Sequence, residues 1–380
     1  MRLTGFAALA AALAFGAAPA IAENGVTESE VKFAQVAALD GPAAALGSGM
    51  NLGLRAAFEE ANRGGGVHGR MLRLDAFDDG YEPDRSAAHV QSVIDGGAHI
   101  GLIGPVGTPT TKATQPIAMA ARLPFVGPFT GAGFLRNAGH GNILNVRATY
   151  AAETEAWIKH LVDDQGMTSI AILYQDDGFG RVGLDGVNAA LERRGMALVA
   201  EGTYTRNTTA VKSALLDIRK AQPEAVVMVG AYKPIAEFIR LSRKLKFNPA
   251  FVNISFVGSK ALADELGPDG EGVIVSQVVP FPWDASIPVV AAYQEALKAV
   301  DAGAEPGFVS LEGYIVGRLA IETLQAAGPD LTREAFLAAM NGLGVVDLGG
   351  ATLTFGPDDN QGMDDVFMTR ITAEGEFEPI

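Results

Sequence analysis

Apolar runs of strand length alternate with amphipathic stretches of helix length along most of this chain. Residues 31–39 form the first run, mostly apolar, as a parallel strand covered on both faces would be. Asp40-Gly41-Pro42 breaks it, and a helix follows with Gly47, Gly49 and Gly53 around its opening turn and Leu52, Leu54, Ala57 and Phe58 along it. Asn62-Arg63-Gly64-Gly65-Gly66 ends that helix with residues that accept left-handed backbone angles. Strands are then predicted at 73–77, 100–104, 124–126 and 143–146, with helices at 83–94 and 110–121 between them. The alternation begins again, with strands at 170–174, 197–203, 225–229, 251–254 and 273–277 and helices at 153–163, 181–193, 211–220 and 234–245. Two successive series of this kind predict two Rossmann-like lobes, each with a parallel sheet. The last third departs from the pattern. It reads as helices at 287–300, 310–326 and 332–340, then a strand pair, 351–355 and 366–371, joined by a polar turn. A glycine-lined helix start above the end of a parallel strand is where α/β proteins bind ligands, so 31–70 is expected to form a small-ligand cradle.

Residues 1–22 stand apart from this pattern. Arg2 precedes an alanine-rich stretch that ends in Ala20-Ile21-Ala22, the form of a cleavable export signal, which predicts a free periplasmic protein. Later apolar stretches of helix length are interrupted by charges. The chain has no cysteine, so it offers no lipid-anchor site, disulfide or thiol chemistry. Its formal net charge is −15, and loss of Arg2 with the signal makes it one unit more negative. That excess of acid disfavours nucleic acid and anionic membranes as partners.

Several local constellations carry candidate chemistry. Gly104-Pro105-Val106-Gly107-Thr108-Pro109-Thr110-Thr111 follows a strand and opens a helix. Free amides there, with the Thr108 and Thr110 hydroxyls, would hold a carboxylate; alternatively one threonine caps its own helix. Tyr232, after an apolar strand, is a candidate either for a ligand cleft or for core packing. Glu312 lies just inside a helix that Ser310 is expected to cap, where it would face the cleft or favour the helix dipole. Gly178-x-Gly180-x-x-Gly183 matches a dinucleotide fingerprint in form, but Asp176 and Asp177 stand where a pyrophosphate would lie. Five histidines without helical metal-ligand spacing and the lack of a Gly-x-Ser-x-Gly elbow leave no catalytic or metal site to predict. Asp358-Asp359-Asn360 with Asp364-Asp365 hints at calcium, but the closing glutamate of an EF-hand loop is missing, and a polar turn is the simpler reading. No cofactor is expected.

In order along the chain, Gly41-Pro42, Asn62-x-Gly64-Gly65-Gly66-Val67-x-Gly69-Arg70, Asp78-Asp79-x-Tyr81-x-Pro83, Ile103-Gly104-Pro105, Asn145-Val146-Arg147, Tyr174-Gln175-Asp176-Asp177-Gly178-Phe179-Gly180 and Val229-Gly230-Ala231-Tyr232 resemble the leucine/isoleucine/valine-binding protein family. These are type I periplasmic receptors of ABC importers. The resemblance covers nearly the whole chain after the signal and rests on collinearity rather than on one motif. It implies two lobes crossed three times by the chain and closing over a ligand. It also implies a carboxylate contact at Thr108, and a second carboxylate-binding loop at Phe129, Thr130 and Gly131. Phe179 falls where the family covers the ligand with an aromatic residue, and Leu46 where it has an aromatic wall. Ser255 falls where branched-chain amino acid receptors place the glutamate that meets the ligand's ammonium group. A serine cannot neutralise a buried cation. Either another acid such as Glu312 or Asp177 replaces it, or the ligand carries no α-ammonium group.

The expected fold is therefore α/β, a type I periplasmic binding protein with a three-crossover hinge. One lobe is expected over 26–147 and 279–347 and the other over 148–278 and 348–380, with crossings near Arg147, Gln277 and Asp347. The expected function is capture of an amino acid or related small carboxylate, without catalysis, by a monomer that hands it to an inner-membrane ABC permease. A ligand sensor for a signalling receptor and an exported α/β enzyme are the alternatives.

Overall fold

The computed structural model describes residues 24–137 and 139–380, so the expected export signal lies outside the described residues. The first series runs β1 (Glu30–Ala37), α1 (Ala44–Arg63), β2 (Met71–Asp78), α2 (Pro83–Gly96), β3 (Leu102–Ile103), α3 (Thr108–Ala120), β4 (Phe125–Val126) and β5 (Ile143–Leu144). Its strands form one parallel sheet in the order β2-β1-β3-β4-β5. The second series runs α4 (Tyr150–Ile158), β6 (Ile170–Gln175), α5 (Gly178–Glu192), β7 (Ala200–Tyr204), α6 (Lys212–Lys220), β8 (Ala225–Val229), α7 (Tyr232–Lys244), β9 (Ala250–Asn253), α8 (Ser259–Leu266) and β10 (Ile274–Gln277). There follow α9 (Pro288–Val300), α10 (Phe308–Ala327), α11 (Arg333–Gly342), β11 (Val345–Asp347), β12 (Thr352–Thr354), β13 (Phe367–Ile371) and β14 (Phe377–Pro379). The second sheet has the order β14-β13-β10-β9-β8-β6-β7, parallel except for the antiparallel edge formed by β13 and β14.

Strand β1 shows how the sequence pattern builds two layers. Val31, Phe33 and Ala37 join the main core, which also contains α1 and α10, while Ala34 and Val36 face a second cluster with Val90 and Val93 of α2 and Ala118 of α3. That is the two-residue alternation of a strand buried on both sides. Helix α1 lies very close to α10. A Cβ at Gly53 would stand 1.9 Å from the Ser310 carbonyl oxygen, and one at Gly313 would stand 2.4 Å from that of Met50. A Cβ at Gly47 would stand 1.9 Å from the Ala38 oxygen. Gly47 and Gly53, expected to line a cradle, thus serve close packing instead. Gly53→Ala is expected to cost about 3 kcal/mol, because its collision is with α10 backbone that cannot swing aside. Urea denaturation of the unliganded protein checks this, and a loss below about 0.5 kcal/mol would show that the two helices part easily.

The chain leaves the first sheet after β5, passes Arg147 and enters the second lobe at α4; it returns after β10. The third passage differs from the one expected near Asp347. Strand β11 ends at Asp347 and pairs antiparallel with β12, and the polar segment beyond then runs beside the first crossing. Asn145 donates to the Asn360 carbonyl at 2.8 Å, and Met363 donates to Val146 at 2.9 Å. The chain joins the second sheet only at β13. The expected pairing of 351–355 with 366–371 is likewise replaced, since β12 pairs with β11 and β13 pairs with β10 and β14.

Candidate functional site

The loops after β1, β3 and β4 face those after β6, β8 and β9, so the carboxyl ends of parallel strands from both lobes meet. This is the crevice where open α/β sheets place ligands. Leu46, at the start of α1, is buried and reaches Gly258 of the other lobe, where any side chain would collide with it. The neighbouring Ala45 amide points to the Tyr232 hydroxyl at 3.4 Å. Phe256 lies at the centre of a ring cluster, 4.7 Å from Phe179, 5.3 Å from Phe129 and 6.0 Å from Tyr81 between ring centroids. Tyr81 and Phe129 come from the first lobe and Phe179 and Phe256 from the second, so the lobes stand closed on each other. A cavity of about 530 Å³ lies elsewhere, beside Trp283 and Phe377.

Thr108 opens α3, and its hydroxyl meets that of Thr130 at 2.7 Å. With Pro109 next in the helix, Thr108 and Thr110 carry the free amides of the first turn. The Thr110 hydroxyl is committed locally, donating to the Val106 and Gly107 carbonyls at 2.5 and 2.9 Å. Gly131 is held against Tyr150: its carbonyl accepts from the Tyr150 amide at 2.8 Å, and a Cβ would stand 2.6 Å from the ring. The Tyr150 hydroxyl is buried and lies beside the Thr108 and Thr130 hydroxyls, so three hydroxyls share one pocket. Arg136 fixes the second loop by donating to the Thr130 and Ala132 carbonyls at 2.9 and 3.0 Å.

Behind these hydroxyls lies a buried charge network. Arg147 is 1 % exposed, its guanidinium stacked 4.5 Å from the Phe129 ring centroid. It donates to the Ser255 hydroxyl from Nη2, and Nε stands 3.4 Å from Glu312. Neither Nε nor Nη1 has a hydrogen-bonded acceptor. Glu153 is wholly buried and accepts from the Ser255 amide and hydroxyl, both at 2.9 Å, and from the Ser276 hydroxyl at 2.5 Å. Burial raises the Glu153 carboxyl above its ordinary value despite Arg147 and these donors. Glu312 is pushed up to about 7, burial outweighing the pull of Arg147.

Two expectations change here. Helix α10 begins at Phe308 with Gly307 as its N-cap, and Ser310 bonds Tyr293 at 2.6 Å rather than capping the helix. Glu312 therefore lies inside the helix, beside Arg147, and not at an exposed dipole. Asp177 caps α5 through the Phe179 amide at 2.9 Å and pairs with Arg206 at 3.0 Å. Its oxygens are thus engaged by Gln175, the Phe179 amide and Arg206, whereas the acid that bonds Ser255 is Glu153. A Cβ at Gly180 would stand 1.9 Å from the Gln175 carbonyl oxygen, so that glycine packs the helix against its strand.

Arg147, Glu153, Ser276, Tyr150 and Phe256 escaped the reading of the sequence as site residues. Glu153 left a trace, for it shares one helical face with Tyr150 and Trp157, both fully buried. Arg206 escaped as well. It joins Glu82 of the first lobe at 2.8 Å while holding Asp177, and Asn207 bonds Glu82 at 2.7 Å. These contacts latch the lobes.

The class of protein this architecture defines is a two-lobed binding protein of type I topology. The chain belongs to the periplasmic binding protein family, whose family model matches residues 30–376. It is 38 % identical to a possible leucine/isoleucine/valine-binding protein from Rhodopirellula baltica, with a TM-score of 0.88 over 93 % of this chain and 96 % of that one. A substrate-binding periplasmic protein from Ralstonia solanacearum is 27 % identical, with a TM-score of 0.87 over 92 % of this chain and 100 % of that one. The Leu/Ile/Val-binding protein BraC3 of Rhizobium johnstonii is 26 % identical over 70 % of each chain. These relatives are binding proteins by name, not enzymes.

Proposed function

We propose that this protein is the solute receptor of an ABC importer, capturing an amino acid or related small carboxylate in the cleft and delivering it, as a periplasmic monomer, to an inner-membrane permease. The observation that carries the reading is the meeting of Thr108, Thr130 and Tyr150, whose hydroxyls come from both lobes and converge on one buried point. A carboxylate there would accept from these hydroxyls and from the free amides of α3, next to the helix's positive end. Leu46, Phe129, Phe179 and Tyr232 would enclose the rest of the molecule, with Ser255 and Glu312 at its polar end. Thr110 and Gly131 shape the two loops. Binding favours the closed arrangement because only there do both sets of groups reach the ligand.

Trp283 reports this motion. It lies in the second crossing, stacked on Phe377 of one lobe at 5.8 Å and set edgewise to Phe308 of the other at 5.5 Å. Saturation with a mixture of aliphatic amino acids and their 2-oxo acids should shrink the radius of gyration in solution scattering and shift Trp283 emission. An unchanged radius and spectrum would overturn the reading. Arg206→Ala should weaken binding of whichever ligand emerges by roughly 1.5-fold to fivefold, the size expected for a part-exposed ion pair. Affinity equal to wild type would mean the latch adds nothing to closure.

A further inference from the structure

The hydrogen bonds around Arg147 are short of acceptors. Nε and Nη1 of Arg147 are buried donors without hydrogen-bonded acceptors, and the Arg147 charge acts on the Tyr150 hydroxyl beside Thr108 and Thr130. The nearby acid oxygens do not fill the deficit. Glu153 is engaged on both oxygens by Ser255 and Ser276, and Glu312 meets Nε at 3.4 Å without a hydrogen bond. Buried guanidinium donors left without acceptors are costly, so a ligand gains by supplying acceptors and loses by bringing more donors. The resemblance places an ammonium-binding glutamate at Ser255. In this chain the Ser255 hydroxyl accepts from the Arg147 guanidinium and donates to Glu153, so both its roles are taken and it offers an incoming ammonium group no free acceptor.

We propose, resting on the receptor reading above, that the ligand is a carboxylate whose 2-substituent is an uncharged acceptor, a 2-oxo or 2-hydroxy acid, and not an α-amino acid. Its carboxylate meets Thr108, Thr130, Tyr150 and the amides of α3. Its oxo or hydroxyl oxygen takes the free donors of Arg147. The side chain lies among Leu46, Phe129, Phe179 and Phe256, so aliphatic and aromatic acids are the classes to try.

Calorimetric titration of the intact secreted protein separates the cases. The probes are leucine, valine and phenylalanine, each paired with its 2-oxo acid. At least one 2-oxo acid should bind more tightly than its amino acid by on the order of a hundredfold or more, because the amino acid leaves the site's donors unpaired. Tyr150→Phe, which removes one hydroxyl of the carboxylate site and no packing, should weaken that binding about tenfold while shifting the melting temperature of the free protein little. Arg147→Lys, which keeps the charge and loses the fork, should weaken it at least as much. Binding of an amino acid in preference to its 2-oxo acid would overturn this inference and leave the receptor reading standing. Wild-type affinity in Tyr150→Phe would also count against it. Silence towards both classes would overturn the receptor reading and the inference with it.

Discussion

Glu153→Ala should destabilise the protein by about 3–5 kcal/mol, at about 1–3 kcal/mol for each buried donor left without its acceptor. Three donors lose their acceptor at once: the Ser255 amide, the Ser255 hydroxyl and the Ser276 hydroxyl. One of the two carboxylates that act on Arg147 goes with them, while Arg147, 1 % exposed, cannot reach water without moving the lobes apart. Glu153→Gln should be milder, since its amide oxygen still accepts one of the bonds and its shape fits. Urea denaturation of both variants measures the difference. A loss below about 1 kcal/mol for the alanine variant would mean that water replaces the carboxylate freely, and that Arg147 is less enclosed than its packing against Phe129 implies.

The same network shows why the site was harder to read than the scaffold. Strand β1 was legible because a strand covered on both faces must be apolar at nearly every position, and 31–37 is. Helices α9 to α11 announce themselves by helical spacing over one or more turns. Helix α8 did not, for it has only eight residues and follows Gly258 in a left-handed conformation. The third crossing was misplaced for a physical reason as well. A polar segment such as 356–365 reads as an exposed turn, yet its backbone pairs with Asn145 and Val146, which sequence distance hides. Among site residues, threonines and glycines beside strand ends could be found because each loop is local. Arg147 and Glu153 could not, because their role exists only where a crossing, a helix of one lobe and a helix returned to the other meet. Ser255 stands 102 positions after Glu153, and only the fold brings the serine to that acid.

Glu312 turns the network into a pH dependence with a definite sign. Its carboxyl is pushed up to about 7 by burial, from an ordinary value of 4.5. Between those values the native state holds a proton that the unfolded chain has released, so stability falls as pH rises through the window and levels off above it. The ionised group should then cost about 3 kcal/mol at pH 8 and almost nothing near pH 4. Glu312→Gln keeps the shape and cannot ionise. It should therefore be more stable than wild type by about 3 kcal/mol at pH 8, with the gain shrinking as pH falls through the window. Glu153 is raised for the same first reason and adds a slope of the same sign; because its charge also raises Glu312, the glutamine variant should lose the Glu312 slope and ease that of Glu153. Urea denaturation at pH 5 and pH 8 is sufficient. A stability difference that stays the same at both values would show that Glu312 is not the titrating group. A loss of stability in the glutamine variant at pH 8 would show that its attraction to Arg147 outweighs the cost of burying it.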